Sequence, residues 1–332
     1  MTLRLRCAPR AGCRGPDKRP TSLSRAAQGA GPGTAGFRRF AKGTSLAFLG
    51  PRKKEEDVPE ERIDILARRG HSTNLVGVPT GLLASATFNE HPVRLALAGV
   101  REMNSSLFRM LADSPTAEDA ALAFELYMAA AFGLDPEMKE KDGKERKRRY
   151  RSSYLRLLKG WGYDSNGREG AVLKGWVESR FGLYPTFHKE PLAGFLSPAW
   201  STYVEEKMAS RFHNNAIHTQ LDLLYEYSQW SLGRFHAVGR RHVTLYRGVN
   251  DFAEHPVVER PDRDTVVLRL NNLVSFSSDR AIACCFGDHI LEARVPTAKI
   301  LFFNKLLPRA PLVGENEYLV IGGDYGVRAS YL

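Results

Sequence analysis

The spacing of apolar residues changes along this chain of 332 residues. After about residue 110 they recur three or four positions apart, as on one face of a helix. From about residue 242 they recur every second position, as on one face of a strand. Thr116 with Asp119 has the form of a capping box that opens the helical run 117–132, and Gly133 stops it. The stretch 139–163 begins basic and turns amphipathic, with Tyr150, Tyr154 and Leu158 four apart. Residues 217–235 predict a further helix carrying Leu221, Leu224, Tyr225 and Leu232 on one side. The later segments HVTLYRGV, TVVLRL, LVSFSS, HILEARV, AKILFF, NEYLVIGG and VRASYL predict short strands separated by turn residues, with Gly322-Gly323 ending the sixth. Helices first and strands last argue for an α+β fold rather than a parallel α/β sheet.

Composition changes this picture at one end only. Hydrophobic residues make up 43% and charged residues 26%, ordinary for a globular protein. No run of 18 apolar residues occurs, so no membrane-spanning helix is expected. The net charge of +11 is concentrated in residues 1–54, where 13 Lys and Arg face Asp17 alone; the remainder carries 35 basic and 36 acidic residues. This leader, rich in Arg, Gly, Ala and Pro and without periodicity, reads as a disordered, dispensable tail. A transit peptide, a misplaced start site in a GC-rich gene and a nucleic-acid arm are the other readings of such a segment. The near-neutral body and the lack of an interleaved aromatic–basic motif argue against a nucleic-acid partner. The division expected is 1–60 tail and 61–332 globular, with a helical part over 61–241 and a β-rich part over 242–332.

Four cysteines occur without any C-x-x-C or Cys/His ligand spacing, which suits a reducing cytoplasm. Cys284 and Cys285 are expected to be buried as small apolar residues. His213 and His218 lie five apart, and His236 and His242 six apart, so neither pair has the four-residue spacing of a helical metal site; no metal is expected. The basic run 139–156 reads as a solvated helix face, with a docking surface for an acidic partner as the alternative.

Three constellations carry possible chemistry. Glu315 and Glu317 sit at the entrance of a strand and point to one face, about 6.6 Å apart along the backbone. Their repulsion is on the order of 2.4 kcal/mol, so the pair needs water, a cation or hydrogen-bond donors. Arg247 lies among Val243, Leu245 and Val249 on a strand face, where a guanidinium must find a partner; Gly248 after it lets a ligand or a backbone come close. Ser275 and Ser277 share a strand face, and Ser278 or Asp279 is expected to cap the helix that follows.

The order Arg, Ser-x-Ser, Glu-x-Glu, each on a strand, resembles the arginine-specific mono-ADP-ribosyltransferases. Ala281 and Phe286, in a helix after the serines, fit the same pattern. Longer strings, among them GHSTNLVGVPTGLLAS, SSYLRLLKGWGYDSNGREGAVLKGWVESRFGLYPTFHKEP and LYRGVNDF, are similar to the NAD+–dinitrogen-reductase ADP-ribosyltransferase family over roughly residues 62–332. The resemblance implies a core of two packed sheets and an enzyme that transfers ADP-ribose from NAD+ to an arginine of dinitrogenase reductase. NAD+ would be consumed, not recycled, with no other cofactor. Glu317 would be the catalytic carboxylate and Glu315 would serve the acceptor arginine. Arg247, Gly248, Ser275, Phe276 and Ser277 would bind NAD+, Phe276 standing where many relatives have Thr. His71, Ser72, Thr73 and Asn74 are further candidates to line the NAD+ site. A PII-type signalling protein is the implied regulator and the cytoplasm the implied compartment. A different protein target, or a basic-tailed nucleic-acid-binding protein, are the competing readings.

Overall fold

A computed structural model describes residues 69–134, 153–209, 212, 216–250, 255–308 and 316–331. The expected tail, the basic run through residue 152, His213 and Glu315 lie outside the described residues. The described chain is helical first: α1 (Thr80–Leu83), α2 (Ala86–Glu90), α3 (Val100–Met103), α4 (Ser105–Ala112), α5 (Ala117–Phe132), α6 (Tyr154–Tyr163), α7 (Arg168–Phe181), α8 (Pro198–Lys207) and α9 (Ile217–Ser231). A two-stranded ribbon, β1 (Phe187–His188) and β2 (Glu190–Pro191), interrupts them. The remaining strands are β3 (His242–Val249), β4 (Val257–Glu259), β5 (Thr265–Ser277), β6 (His289–Pro296), β7 (Ile300–Phe303) and β8 (Glu317–Tyr331), with the short α10 (Arg280–Ala283) between β5 and β6. This is the α+β order that the change of period predicts.

Local signals act as expected in the helices. Thr116 Oγ1 accepts from the Asp119 amide (3.1 Å) and donates to its carboxylate (2.7 Å), and Gly133 ends α5 at φ +59°. Ser153 caps α6, whose buried face is Tyr154, Leu157, Leu158 and Trp161. The helix α9 is buried on nearly every side, not on one. Its polar side chains therefore need partners. Gln220 accepts from the Tyr154 amide (3.0 Å) and so fastens the start of α6. Asp222 accepts from Trp176 and Arg180 of α7. Glu226 accepts from the Leu97 amide and pairs with Arg101. Residues Leu232–His236 do not continue α9 but form a π-helical turn.

Strands β3, β6, β8 and β5 pair antiparallel in a ring, closed where Tyr246 lies opposite Ser277; β4 and β7 extend it on β5 and β8. The two sheets of the expectation are thus two halves of one closed sheet, sharing β5 and β8. Each of these long strands joins two segments that the sequence separates. Gly322-Gly323 does not end a strand: β8 runs through it while the register against β5 shifts between Leu270 and Leu273. A Cβ on Gly322 would lie 1.7 Å from the Asn271 carbonyl oxygen, and Gly323 has φ +123°, so the pair marks a bend under close backbone approach. At the same bend Asn271 donates to the Phe187 carbonyl (2.7 Å), and Asn272 to those of Lys174 and Leu183, tying the sheet to the helical part. One hydrophobic cluster runs through both parts. No described helix is long and apolar enough to cross a membrane.

Lys299 is fully buried beside this bend. Its ammonium donates to the Gly322 carbonyl (3.1 Å) and lies 5.2 Å from the ring centres of Phe88 and Tyr325. Burial pushes its pKa down to about 7, against the attraction of Asp324. The unfolded chain holds this proton up to about pH 10.5, so folding expels it between pH 7 and 10.5. Stability from this group therefore rises with pH across that window, by roughly 2 kcal/mol from pH 7 to 9. In Lys299→Met that slope should vanish, as read by denaturant unfolding at the two pH values.

Candidate active site

A cleft of about 400 Å³ opens where β3, β5 and β8 meet the end of α6. Arg247, Gly248, Ser275, Phe276, Ser277 and Glu317 all border it, so the strands bring together every described member of the three constellations. The register explains why. Ser277 pairs with Glu317 across β5 and β8, and with Tyr246, next to Arg247, across β5 and β3.

Glu317 is 5% exposed. Asn316 before it takes φ +48°, a left-handed conformation that Asn tolerates, and its carbonyl accepts from the Ser278 amide (3.1 Å). The Glu317 carbonyl accepts from the Asn304 amide (3.0 Å). The carboxylate is therefore carried by a fixed backbone. Ser275 Oγ donates to it at 2.5 Å, and the same oxygen accepts from the Trp161 indole N–H at 2.7 Å. An indole can only donate, and a carboxylate only accepts when ionised. The serine hydrogen is thus directed at Glu317, and the three groups form one line of hydrogen bonds from α6 through β5 to β8.

Arg247 Nη1 donates to the Ser275 carbonyl (2.8 Å), and its Nε to His255 (3.3 Å), whose residue is buried. The guanidinium thereby straps β3 to β5 at the level of the serine. At Gly248 the close approach is by backbone: a Cβ there would meet the Ala283 carbonyl oxygen at 2.1 Å, at the end of α10. Ser277 Oγ accepts from the Asp279 amide (3.1 Å), and Asp279, of the two expected caps, closes α10 through the Ala281 amide (2.8 Å). Phe276 alternates away from the two serines and is buried at 2% exposure in the hydrophobic core.

Two further expectations are overturned. The helix α10 stops at Ala283, so Phe286 lies beyond it, 52% exposed on the rim of the cleft. Cys284 is half-buried and Cys285 exposed, because the same turn runs over the surface. The 71–74 stretch does not border the cleft. It packs on the end of α7: the His71 amide donates to the Gly182 carbonyl, the Leu75 amide to that of Arg180, and the Asn74 side chain accepts from its own loop. Among the described residues no group of three or more His, Cys, Asp or Glu converges as a metal site requires.

Sequence reasoning missed Trp161, His255 and Tyr163. Trp161 reads as the last apolar position of an amphipathic helix, and nothing in the periodicity distinguishes it from core. Tyr163 is 81% exposed at the cleft, an unusual place for a tyrosine ring.

Comparison with known proteins bears on the whole of this region. The family model described as dinitrogenase reductase ADP-ribosyltransferase matches residues 73–329. A relative from Rhodospirillum rubrum named NAD(+)–dinitrogen-reductase ADP-D-ribosyltransferase is 63% identical over 279 residues, 83% of this chain and all of that protein's length. No solved structure matches. The family match spans all the cleft's elements, and with the identity to this relative it shows that the chain belongs to the dinitrogenase reductase ADP-ribosyltransferase family.

Proposed function

We propose that this chain transfers ADP-ribose from NAD+ to dinitrogenase reductase, the reaction in the name of its relative, with an arginine as the acceptor and nicotinamide released. The observation that carries the reading is the line Trp161–Ser275–Glu317 on the wall of a cleft that Arg247 also borders. In the reaction the bond between nicotinamide and ribose breaks, its electron pair leaving on the nicotinamide nitrogen. Positive charge grows at the anomeric carbon, as in glycoside cleavage. A buried, fixed carboxylate lowers the energy of that charge without reorganising at the moment of reaction. Glu317 has this part, engaging the ribose 2′-hydroxyl, and Ser275 holds its carboxylate in place. Arg247 supplies positive charge for the pyrophosphate. Phe286 and Tyr163 offer flat rings at the mouth for the nicotinamide or the incoming guanidinium. The acceptor nitrogen forms the new bond to the anomeric carbon and gives up a proton, and Glu315 takes it.

NAD+ is in this reading a substrate that is used up. The catalytic unit is assigned to residues 61–332, in line with the family match over 73–329. Control by a PII-type protein and a cytoplasmic location belong to the same proposal, with no contact residue assigned.

Incubation with NAD+ labelled in its adenylate, together with purified dinitrogenase reductase, tests the proposal. Label should appear on an arginine of the reductase, with one nicotinamide released per label. Nicotinamide release without label on the reductase would point to another acceptor, and absence of both would overturn the reading. Two substitutions divide the roles. Glu315→Gln should lose transfer to arginine by at least tenfold and keep hydrolysis of NAD+ by water, because only the acceptor loses its base. Equal loss of both activities would refute that division. Arg247→Lys keeps the charge but not the strap to Ser275, and should raise the KM for NAD+ several-fold. An unchanged KM would leave Arg247 as a tie between strands only.

A further inference from the structure

A second cleft, about 730 Å³, lies at the opposite end of β3 from the catalytic one. From Arg241 to Arg247 the strand advances six residues, roughly 20 Å. Five arginines from three parts of the chain border this second cleft: Arg94, Arg101, Arg234, and the neighbours Arg240 and Arg241. Among the described residues no Asp or Glu borders it. Arg101 is held by the buried Glu226. Arg94, Arg234, Arg240 and Arg241 are exposed and form no salt bridge among the described residues.

Scattered surface arginines are ordinary, but this set differs in two ways. It is gathered on a concave wall, where like charges raise the local potential and draw in anions. And that wall includes the π-helical turn Leu232–His236, closed by the Ala237 amide on the Leu232 carbonyl (2.7 Å). Such turns are rare and recur at functional sites. Here the turn carries Arg234 into the cleft, and half-buried Trp230, just before it, supplies an aromatic wall.

We propose that this cleft is a second ligand site, taking a nucleoside polyphosphate. The guanidinium forks match phosphate oxygens two at a time. The volume falls in the range of small-molecule sites. The Trp230 ring gives a base a partner that inorganic phosphate cannot use. A concavity of this volume matches a small anion, whereas a stable protein partner needs a contact of roughly 800 Å² on each side.

Calorimetric titration of the full chain with ATP, with NAD+ present at saturation, tests the site. ATP should bind under these conditions, and inorganic tripolyphosphate should bind more weakly than ATP. The double variant Arg240→Gln/Arg241→Gln should weaken ATP binding at least tenfold and leave NAD+ binding unchanged, with an unaltered circular dichroism spectrum. Arg234→Gln, on a separate segment, should weaken ATP by several-fold. Competition between ATP and NAD+, ATP binding unaffected by both variants, or no ATP binding at millimolar concentration would each overturn the proposal. So would a raised KM for dinitrogenase reductase in variants that bind no ATP, which would make the cleft a protein-docking surface. NAD+ binding and ATP binding are read separately, so failure here leaves the proposed reaction standing.

Discussion

Glu317→Gln should remove both activities of the cleft, transfer to arginine and hydrolysis of NAD+, with kcat lower by about 10³-fold or more. The size follows from what is lost. A single well-placed donor or charge at a developing transition-state charge is worth 10²–10³ in rate, and a full negative charge in a buried site exceeds a neutral dipole. Glutamine has the same shape and its amide oxygen still accepts from Ser275, so the fold and the Asn316 turn should survive. Unfolding midpoints of variant and wild type should therefore agree within about 2 °C, since no core contact is removed. Binding of NAD+ should change little, because the anomeric charge that Glu317 meets exists only in the transition state. Nicotinamide release, followed with and without the protein acceptor, reads both activities in one assay. If hydrolysis persists near the wild-type rate, the carboxylate that matters lies elsewhere, and Glu315 would be the one to examine.

How much of this was legible in the sequence depends on the range of the interactions involved. Caps and stops depend on three or four consecutive residues, and Thr116, Asp119 and Gly133 are read correctly. The strand segments are visible too, because alternation is local. The closure of the sheet is not, since a bend in a strand and the end of a strand both place glycine in the chain. Only the Asn271 carbonyl against Gly322 distinguishes them, and it comes from 51 residues away. The site was legible as three motifs in order, on account of the resemblance; their meeting in one cleft is a matter of register. Residues 71–74 are not among those that border this cleft; polar loop residues equally serve to satisfy a helix end, here that of α7. Trp161 was invisible for the opposite reason: a tryptophan at a core position of an amphipathic helix raises no question until its N–H is seen to leave the core.

That N–H gives the second large effect. Trp161→Phe keeps an aromatic body in the core face of α6 and removes one donor. Ser275 Oγ then loses the bond that directs its hydrogen, and the hydroxyl is free to turn from Glu317 to other acceptors. Hydrogen bonds to charged groups contribute about 1.5–3 kcal/mol, so kcat should fall by roughly 10- to 100-fold, with the KM for NAD+ nearly unchanged. Ser275→Ala should do the same or more, since it removes the bond to Glu317 itself. The decisive measurement is the double variant. If Trp161 acts through Ser275, its loss should cost little once the serine is gone, and the two effects should fall short of adding by 1 kcal/mol or more. A tryptophan that matters only as packing would add its full cost to that of Ser275→Ala, and would lower the unfolding midpoint of Trp161→Phe in the same proportion as its rate. The helix α6 reaches this position because Ser153 caps it and Gln220 of α9 holds its first turn, so the line to Glu317 begins in the helical part of the fold and not in the sheet that carries the motifs.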